Sequence, residues 1–376
     1  MARVLHLYSV LGSNTERPWL DYPLALRDRG WDIAFAYENK AMQAPTIPVE
    51  HTRLDRIRVE STEDVESEMR RVAQPLRDAA HRELLRQNVA LVHGHLGTRL
   101  LHAAAWLERG IPAVISIYGY DASRLLRDPA WEARYRWAAE RGATFVTLCE
   151  PMRQRILDAG VPRARTRLIP VGIDPDAWAF DPRPAPSSPR FLFVGRLTEK
   201  KAPDDLLRAL ATLRNKLGVD AQLEVVGSGP LRDSLRELAD ELGIAANVHW
   251  RGELPRSEVG DAMRRATAMV LPSAVAADGD REGTPVVLME AAALGVPCVT
   301  TRHMGNPDVL PEQGQRFVVE ERDPAALAAA MARIVSLSSE QRTALQRAGR
   351  EHIERRFNLH RIADAYDELY RELLAG

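Results

Sequence analysis

With 376 residues the chain has length for about two domains, and 45% hydrophobic with 27% charged residues is the balance of a soluble globular protein. A formal net charge of −1 sets up no field that would gather nucleic acid or acidic partners. Two cysteines, Cys149 and Cys298, with no CxxC, exclude a disulfide framework and a cysteine-built zinc site and fit a reducing cytoplasm.

The run Val4-Leu5-His6-Leu7-Tyr8 is too short and mixed for a signal peptide and reads as a first buried strand. Leu11-Gly12-Ser13 follows it as a loop, and Asn14 and Glu16 lie in the same turn. Further apolar runs at 33–36, 90–93, 113–117 and 145–148 alternate with helix-like segments such as 19–29 and 98–108. Unalternating strands between helices predict a parallel sheet covered on both faces. The segment 65–86 reads as one helix-like stretch, crowded with Arg70, Arg71, Arg77, Arg82 and Arg86. Glu66, Glu68, Asp78 and Glu83 dilute that charge, so a solvated face is favoured over a membrane-docking one. His93-Gly94-His95 ends its strand; the two imidazoles read as leaving the strand in opposite directions, which argues against one shared metal ion. Ser116-Ile117-Tyr118-Gly119-Tyr120-Asp121 ends the next. Four prolines between Asp181 and Pro189 then mark a stiff linker, set at 176–190.

After it the alternation restarts with strands at 191–194, 223–226, 248–250, 269–271 and 298–300. Phe191-Leu192-Phe193-Val194 delivers Gly195 and Arg196 to a strand end, with Lys201 in the turn before a helix that Pro203 can start. A guanidinium and an ammonium there can clamp a diphosphate. Gly227-Ser228-Gly229 follows the next strand and permits close backbone approach, but Arg232 stands where a dinucleotide fingerprint needs its third glycine. Glu282-Gly283-Thr284-Pro285 reads as a helix start with Thr284 at the N-cap and Pro285 at the first helical position, and Glu290 as a carboxylate in an otherwise apolar helix. Free N–H groups at such a start suit an anion, and flanking carboxylates suit hydroxyls. Asp278 and Asp280 read as a solvated loop.

Gly195-Arg196 with Lys201, Gly227-Ser228-Gly229-Pro230-Leu231, and Glu282-Gly283-Thr284-Pro285 with Glu290 together resemble the signature of family-4 glycosyltransferases, along nearly the whole chain. The bacterial exopolysaccharide and lipopolysaccharide enzymes are the nearest in flavour. The resemblance implies an α/β protein of two tandem Rossmann-like domains facing a cleft, the GT-B arrangement. Its domains would be 1–175 on the acceptor side and 191–356 on the nucleotide-sugar side, with 357–376 a helix returning to the first. It implies a retaining hexosyltransferase that uses a nucleoside diphosphate sugar, uridine ahead of guanosine, and a hydroxyl acceptor, with no cofactor and no metal. Arg196 and Lys201 would bind the diphosphate, Glu282 the donor sugar and Glu290 the ribose. Gly12, Gly195, Gly227, Gly229, Gly283, Thr284 and Pro285 would line the donor, and Asn14, Glu16, His95 and Asp121 would face the acceptor. The chain departs from the family at Tyr118, where relatives carry a histidine, and Tyr118 is expected to join Arg196, Lys201 and Glu282 in the catalytic set by positioning the sugar. A phenol donates and accepts hydrogen bonds but does not titrate near neutrality. The expected location is cytoplasmic, with peripheral membrane contact as an option. A sucrose-type synthase, an epimerase and an inactive nucleotide-sugar binder are the alternatives.

Overall fold

The computed structural model describes residues 1–11, 17–40, 49–74 and 79–375. The apolar strands are buried on both faces in two parallel sheets. In the first, β1 (Arg3–Leu11), β2 (Asp32–Lys40), β3 (His51–Arg53), β4 (Val89–His95), β5 (Ala113–Ser116), β6 (Ala143–Thr147) and β7 (Thr166–Leu168) lie in the order β3-β2-β1-β4-β5-β6-β7. In the second, β8 (Arg190–Val194), β9 (Gln222–Val226), β10 (Val248–Gly252), β11 (Ala268–Leu271), β12 (Cys298–Thr301) and β13 (Val318–Val319) lie in the order β10-β9-β8-β11-β12-β13. Strand order reverses between β1 and β4 and again between β8 and β11, the point at whose carboxyl ends open α/β sheets collect ligands. Every strand expected from the sequence is present. The short edge strands β3, β7 and β13 are additional.

The chain forms two compact units, 1–172 with 359–376, and 173–358. The helix Leu359–Ala375 belongs to the first. Its residues Leu359, Ile362, Ala363, Tyr366, Leu369 and Tyr370 recur at helical spacing and are buried with Leu20, Tyr22 and Leu26 of the helix Arg17–Leu26. Arg29 pairs with Asp364 at 2.6 Å, and Trp31 Nε1 donates to Asp367 at 2.7 Å.

Two expectations are corrected. The stretch 176–190, expected as a linker, is part of the second unit. Trp178 is buried under the Arg256 guanidinium at 4.6 Å, Asp181 N donates to Leu294 O at 3.1 Å, and Arg183 O accepts from Arg342 and Gln346. The segment 65–86 is two helices, Val65–Val72 and Ala79–Arg86, with Pro75 between them in the sequence, where a continuous helix would need its missing N–H. Arg70 pairs with Glu66 and Arg86 with Glu83, so the basic face is partly neutralised on its own helices. Arg77 and Asp78 lie outside the described residues.

Candidate active site

The expected donor residues of the second unit lie at the carboxyl ends of β8, β9 and β11, with Glu290 on the helix that leads from β11 to β12. Two loops there lie backbone to backbone. Gly195 N donates to Val226 O at 3.0 Å and Leu197 N to Ser228 O at 2.9 Å. Gly227 has φ +128°, and a Cβ on it would run into the Gly195 carbonyl. A Cβ on Gly229 would stand 2.5 Å from Leu197 O. Both glycines are therefore required by loop-on-loop contact alone. Gly227→Ala is expected to cost at least about 2 kcal/mol, since it adds both a strained φ and a backbone clash; a urea midpoint equal to wild type would refute this.

Gly195 also lies against Lys201, whose Cε would be 3.7 Å from a Cβ at that position. Lys201 Nζ forms a close ion pair with Glu282, with only 14% and 16% of the two side chains exposed. Next to it, Lys200 Nζ meets Asp280 at 3.0 Å. Burial would raise the Glu282 carboxyl, but Lys201 above all, then Lys200, hold it down at about 2. It is a fixed anion, and a weak base. Arg196 is exposed, and among the described residues no carboxylate pairs with it.

Sequence reasoning missed what holds Glu282 in place. The buried His303 ring lies within 3.0 Å of Glu282 N and 2.6 Å of Glu321 Oε1. A backbone N–H can only donate, so Nε2 accepts and Nδ1 carries the proton that goes to Glu321. Glu321 also accepts from Val275 N at 2.9 Å. Gly305 N donates to Gly283 O at 3.1 Å, and a Cβ on Gly305 would strike Thr284 Oγ1. The turn at 305–308, which shows no chemistry in the sequence, thus backs the Glu282–Pro285 loop.

The helix itself runs Val286–Leu294, one residue later than expected. Pro285, not Thr284, is the N-cap, and no side chain caps it. Thr284 Oγ1 is buried with no hydrogen-bond partner among the described residues. The correction leaves the first-turn N–H groups uncapped by any side chain, which is what an anion or hydroxyl site requires. On the same helix Glu290 is 17% exposed and faces Arg256 Nη2 at 3.6 Å. Burial outweighs Arg256 and lifts the Glu290 carboxyl to about 7.

Gly12, Asn14 and Glu16 lie outside the described residues. Tyr118, His95 and Asp121 are brought together in the first unit. Asp121 is fully buried and accepts from Tyr118 N at 2.9 Å, Gly119 N at 2.8 Å and Gly97 N at 2.9 Å. Its carboxylate staples two loops. His93 and His95, two apart on a strand, share one face and stack at 4.5 Å, correcting the opposite-direction reading. With His6 on β1 they can bring one ligand nitrogen each to within 4.8 Å of one another. Hydrogen bonds already occupy most of those ring nitrogens. His93 meets Tyr370 at 2.5 Å and Ser116 at 2.7 Å, and His95 meets His6 at 3.0 Å and Tyr118 at 2.8 Å. Burial keeps all three far below the ordinary imidazole range, His6 at about 3.

No helix of the described residues is long and apolar enough to cross a membrane. Residues 24–177 match the family model for glycosyltransferase family 4, and residues 175–352 that for glycosyl transferases group 1. A protein of Escherichia coli K12 named for a glycosyltransferase role in colanic acid biosynthesis is 31% identical over 70% of this chain and 66% of its own length. A GDP-mannose-dependent phosphatidylinositol monomannoside mannosyltransferase of Mycobacterium tuberculosis is 29% identical over 54% of each chain. The chain spans about half to two thirds of the length of these curated relatives. The crystal structure of Anabaena HepE with UDP and glucose superposes with a TM-score of 0.75 at 17% identity, covering 99% of this chain and 100% of that one. Family models running in succession from residue 24 to residue 352, over two parallel sheets of like strand order, lead to one conclusion: the chain belongs to the family-4 glycosyltransferases and has their GT-B fold.

Proposed function

We propose that the chain transfers a hexose-type sugar from a nucleoside diphosphate to a hydroxyl of a glycan, glycolipid or small glycoside, with retention and without a metal or other cofactor. The observation that carries the reading is the Lys201–Glu282 contact beside the uncapped helix start: a cation for the diphosphate and a fixed carboxylate for sugar hydroxyls in one place. In this assignment Arg196 and Lys201 stabilise charge on the departing diphosphate. Gly283 and the first-turn amides approach the donor sugar, and Glu290 takes the ribose. Glu282 at about 2 is too weak a base to accept a proton at neutral pH, and Asp121 is spent on backbone amides. Both facts favour a front-face reaction in which the leaving phosphate accepts the proton of the incoming hydroxyl. Cytoplasmic work on a soluble or lipid-linked acceptor fits this assignment.

A uridine donor is placed ahead of guanosine because HepE is seen with UDP and glucose, while the mannosyltransferase relative keeps guanosine in the panel. Thermal shifts with uridine, guanosine and adenosine diphosphates and their sugars decide between them. A true ligand at 100 times its Kd adds about 2.7 kcal/mol of stability. No shift with any of them would overturn the nucleotide-sugar reading. Product analysis then separates a glycoside from an epimerised donor.

A further inference from the structure

The assignment above leaves Tyr118 without a defined task, and its surroundings supply one. The residue follows the carboxyl end of β5, is partly exposed, and is fixed on three sides. Asp121 holds its backbone N–H at 2.9 Å. The Trp19 ring, from the helix after β1, stacks on the phenol at 3.9 Å and 16°. His95 Nδ1 meets its hydroxyl at 2.8 Å. Trp19 and Tyr118 thus meet near the β1–β4 reversal, the place in this sheet where ligands are expected.

The row of groups behind the hydroxyl determines which way its proton points. His95 Nε2 meets His6 Nδ1 at 3.0 Å, and His6 Nε2 is buried with no partner among the described residues. Both imidazoles are neutral, so each carries a single proton. Two arrangements satisfy the row. In one, Tyr118 donates to His95 and His95 donates to His6, which leaves an orphaned N–H on His6. In the other, His6 donates to His95 and His95 Nδ1 donates to Tyr118, which leaves only a bare lone pair on His6. Orphaned buried N–H groups are the rarer and costlier defect, so the second arrangement holds. Tyr118 then accepts from His95 and keeps its own proton. The nearest internal competitor for that proton is Ser116 Oγ, which already meets His93 at 2.7 Å and Tyr366 at 3.0 Å.

We propose that Tyr118 donates a hydrogen bond to an oxygen of the bound sugar or acceptor, and that His95, backed by His6, is the positioning residue that sets it in that role. The proposal rests on the sugar-transfer reading and adds a specific contact. Its test is nucleoside diphosphate release from the preferred nucleotide sugar, measured for Tyr118→Phe, His95→Leu, the double variant and His95→Asn, with melting temperatures alongside. Tyr118→Phe and His95→Leu should each lower the rate by about tenfold or more. The double variant should lose no more than the worse single one. An asparagine amide can replace the Nδ1–H donor, so His95→Asn should recover most of the rate. A packing role alone would shift melting temperatures and give no such non-additivity or rescue. Near-wild-type turnover of Tyr118→Phe, or a double variant whose loss is the product of the two singles, would overturn the proposal and leave the enzyme reading intact. A wild-type chain that turns over no nucleotide sugar overturns the enzyme reading and this proposal together.

Discussion

Lys201→Ala is expected to lower nucleoside diphosphate release by about 100-fold or more, and Arg196→Ala to do the same, because each removes a positive charge aimed at a departing diphosphate. The two variants should differ in a second respect. Arg196 is exposed and has no carboxylate partner among the described residues, so its loss should leave the free protein unchanged. Lys201 is the main reason that the buried Glu282 carboxyl sits at about 2. Without it, burial is less opposed and that carboxyl rises. A carboxylate held below its unfolded value contributes stability above about pH 4.5, and that contribution is lost as pH falls toward 2. Wild type and Arg196→Ala should therefore share an acid-unfolding profile, with Lys201→Ala losing stability relative to both above pH 4.5. Near-normal turnover in both variants would remove the diphosphate clamp. A shared acid profile for all three would remove the ion pair's structural role. Lys201→Arg should not restore activity, because a planar fork cannot occupy the space of a point charge packed against Gly195.

Glu290→Gln is expected to weaken nucleoside diphosphate binding by about 10- to 100-fold, the loss that follows removal of charge-assisted hydrogen bonds. The pH dependence is the sharper measurement. With the free carboxyl at about 7, ribose hydroxyls that bind its ionised form must expel a proton when the ligand arrives in mildly acid solution. Affinity should then fall as pH drops from 8 to 6, approaching about tenfold per unit below pH 7. The nucleotide's own phosphate titrates near pH 6 as well, so the comparison with Glu290→Gln isolates the protein group. That variant should show only the ligand's dependence. Stability has the opposite sign. A raised carboxyl favours the folded state fully below about pH 4.5, and that advantage is lost as pH rises through 7. Glu290→Gln should consequently lose less stability than wild type between pH 5 and 8. Calorimetric titration in two buffers of different ionisation enthalpy would expose the proton; equal heats at pH 6.5 would sink the assignment.

The fold was legible because its strands are apolar without alternation, which only a sheet covered on both faces tolerates, and because each motif directly follows such a strand. Gly195, Arg196 and Lys201 could be placed from Phe191–Val194 alone. The edge strands were not legible: His51–Arg53 is polar and half exposed, and Val318–Val319 is too short to carry a period. What steadies the site was also hidden, for a physical reason. His303 acts by accepting from one loop's amide and donating to another's carboxylate, a relation that spacing does not encode. Arg256 opens its own helix and gives no sign that it will face Glu290. The His-x-His pair was misread by neglecting the two-residue period of a strand, and with it the row behind Tyr118 was missed.

The helix Leu359–Ala375 carries Tyr366 and Tyr370 into the polar core of the first unit, where they meet Ser116 and His93. Residues 1–172 therefore leave the ribosome without the partners of their own interior. Between synthesis of β7 and the appearance of Tyr370, His93 lacks its Tyr370 partner and Ser116 its Tyr366 partner, and the apolar side chains of Leu20, Tyr22 and Leu26 lack their cover. The second unit, continuous in sequence from 173 to 358, has no such wait and can close first. The order in which the halves are made is thus the reverse of the order in which they can be finished.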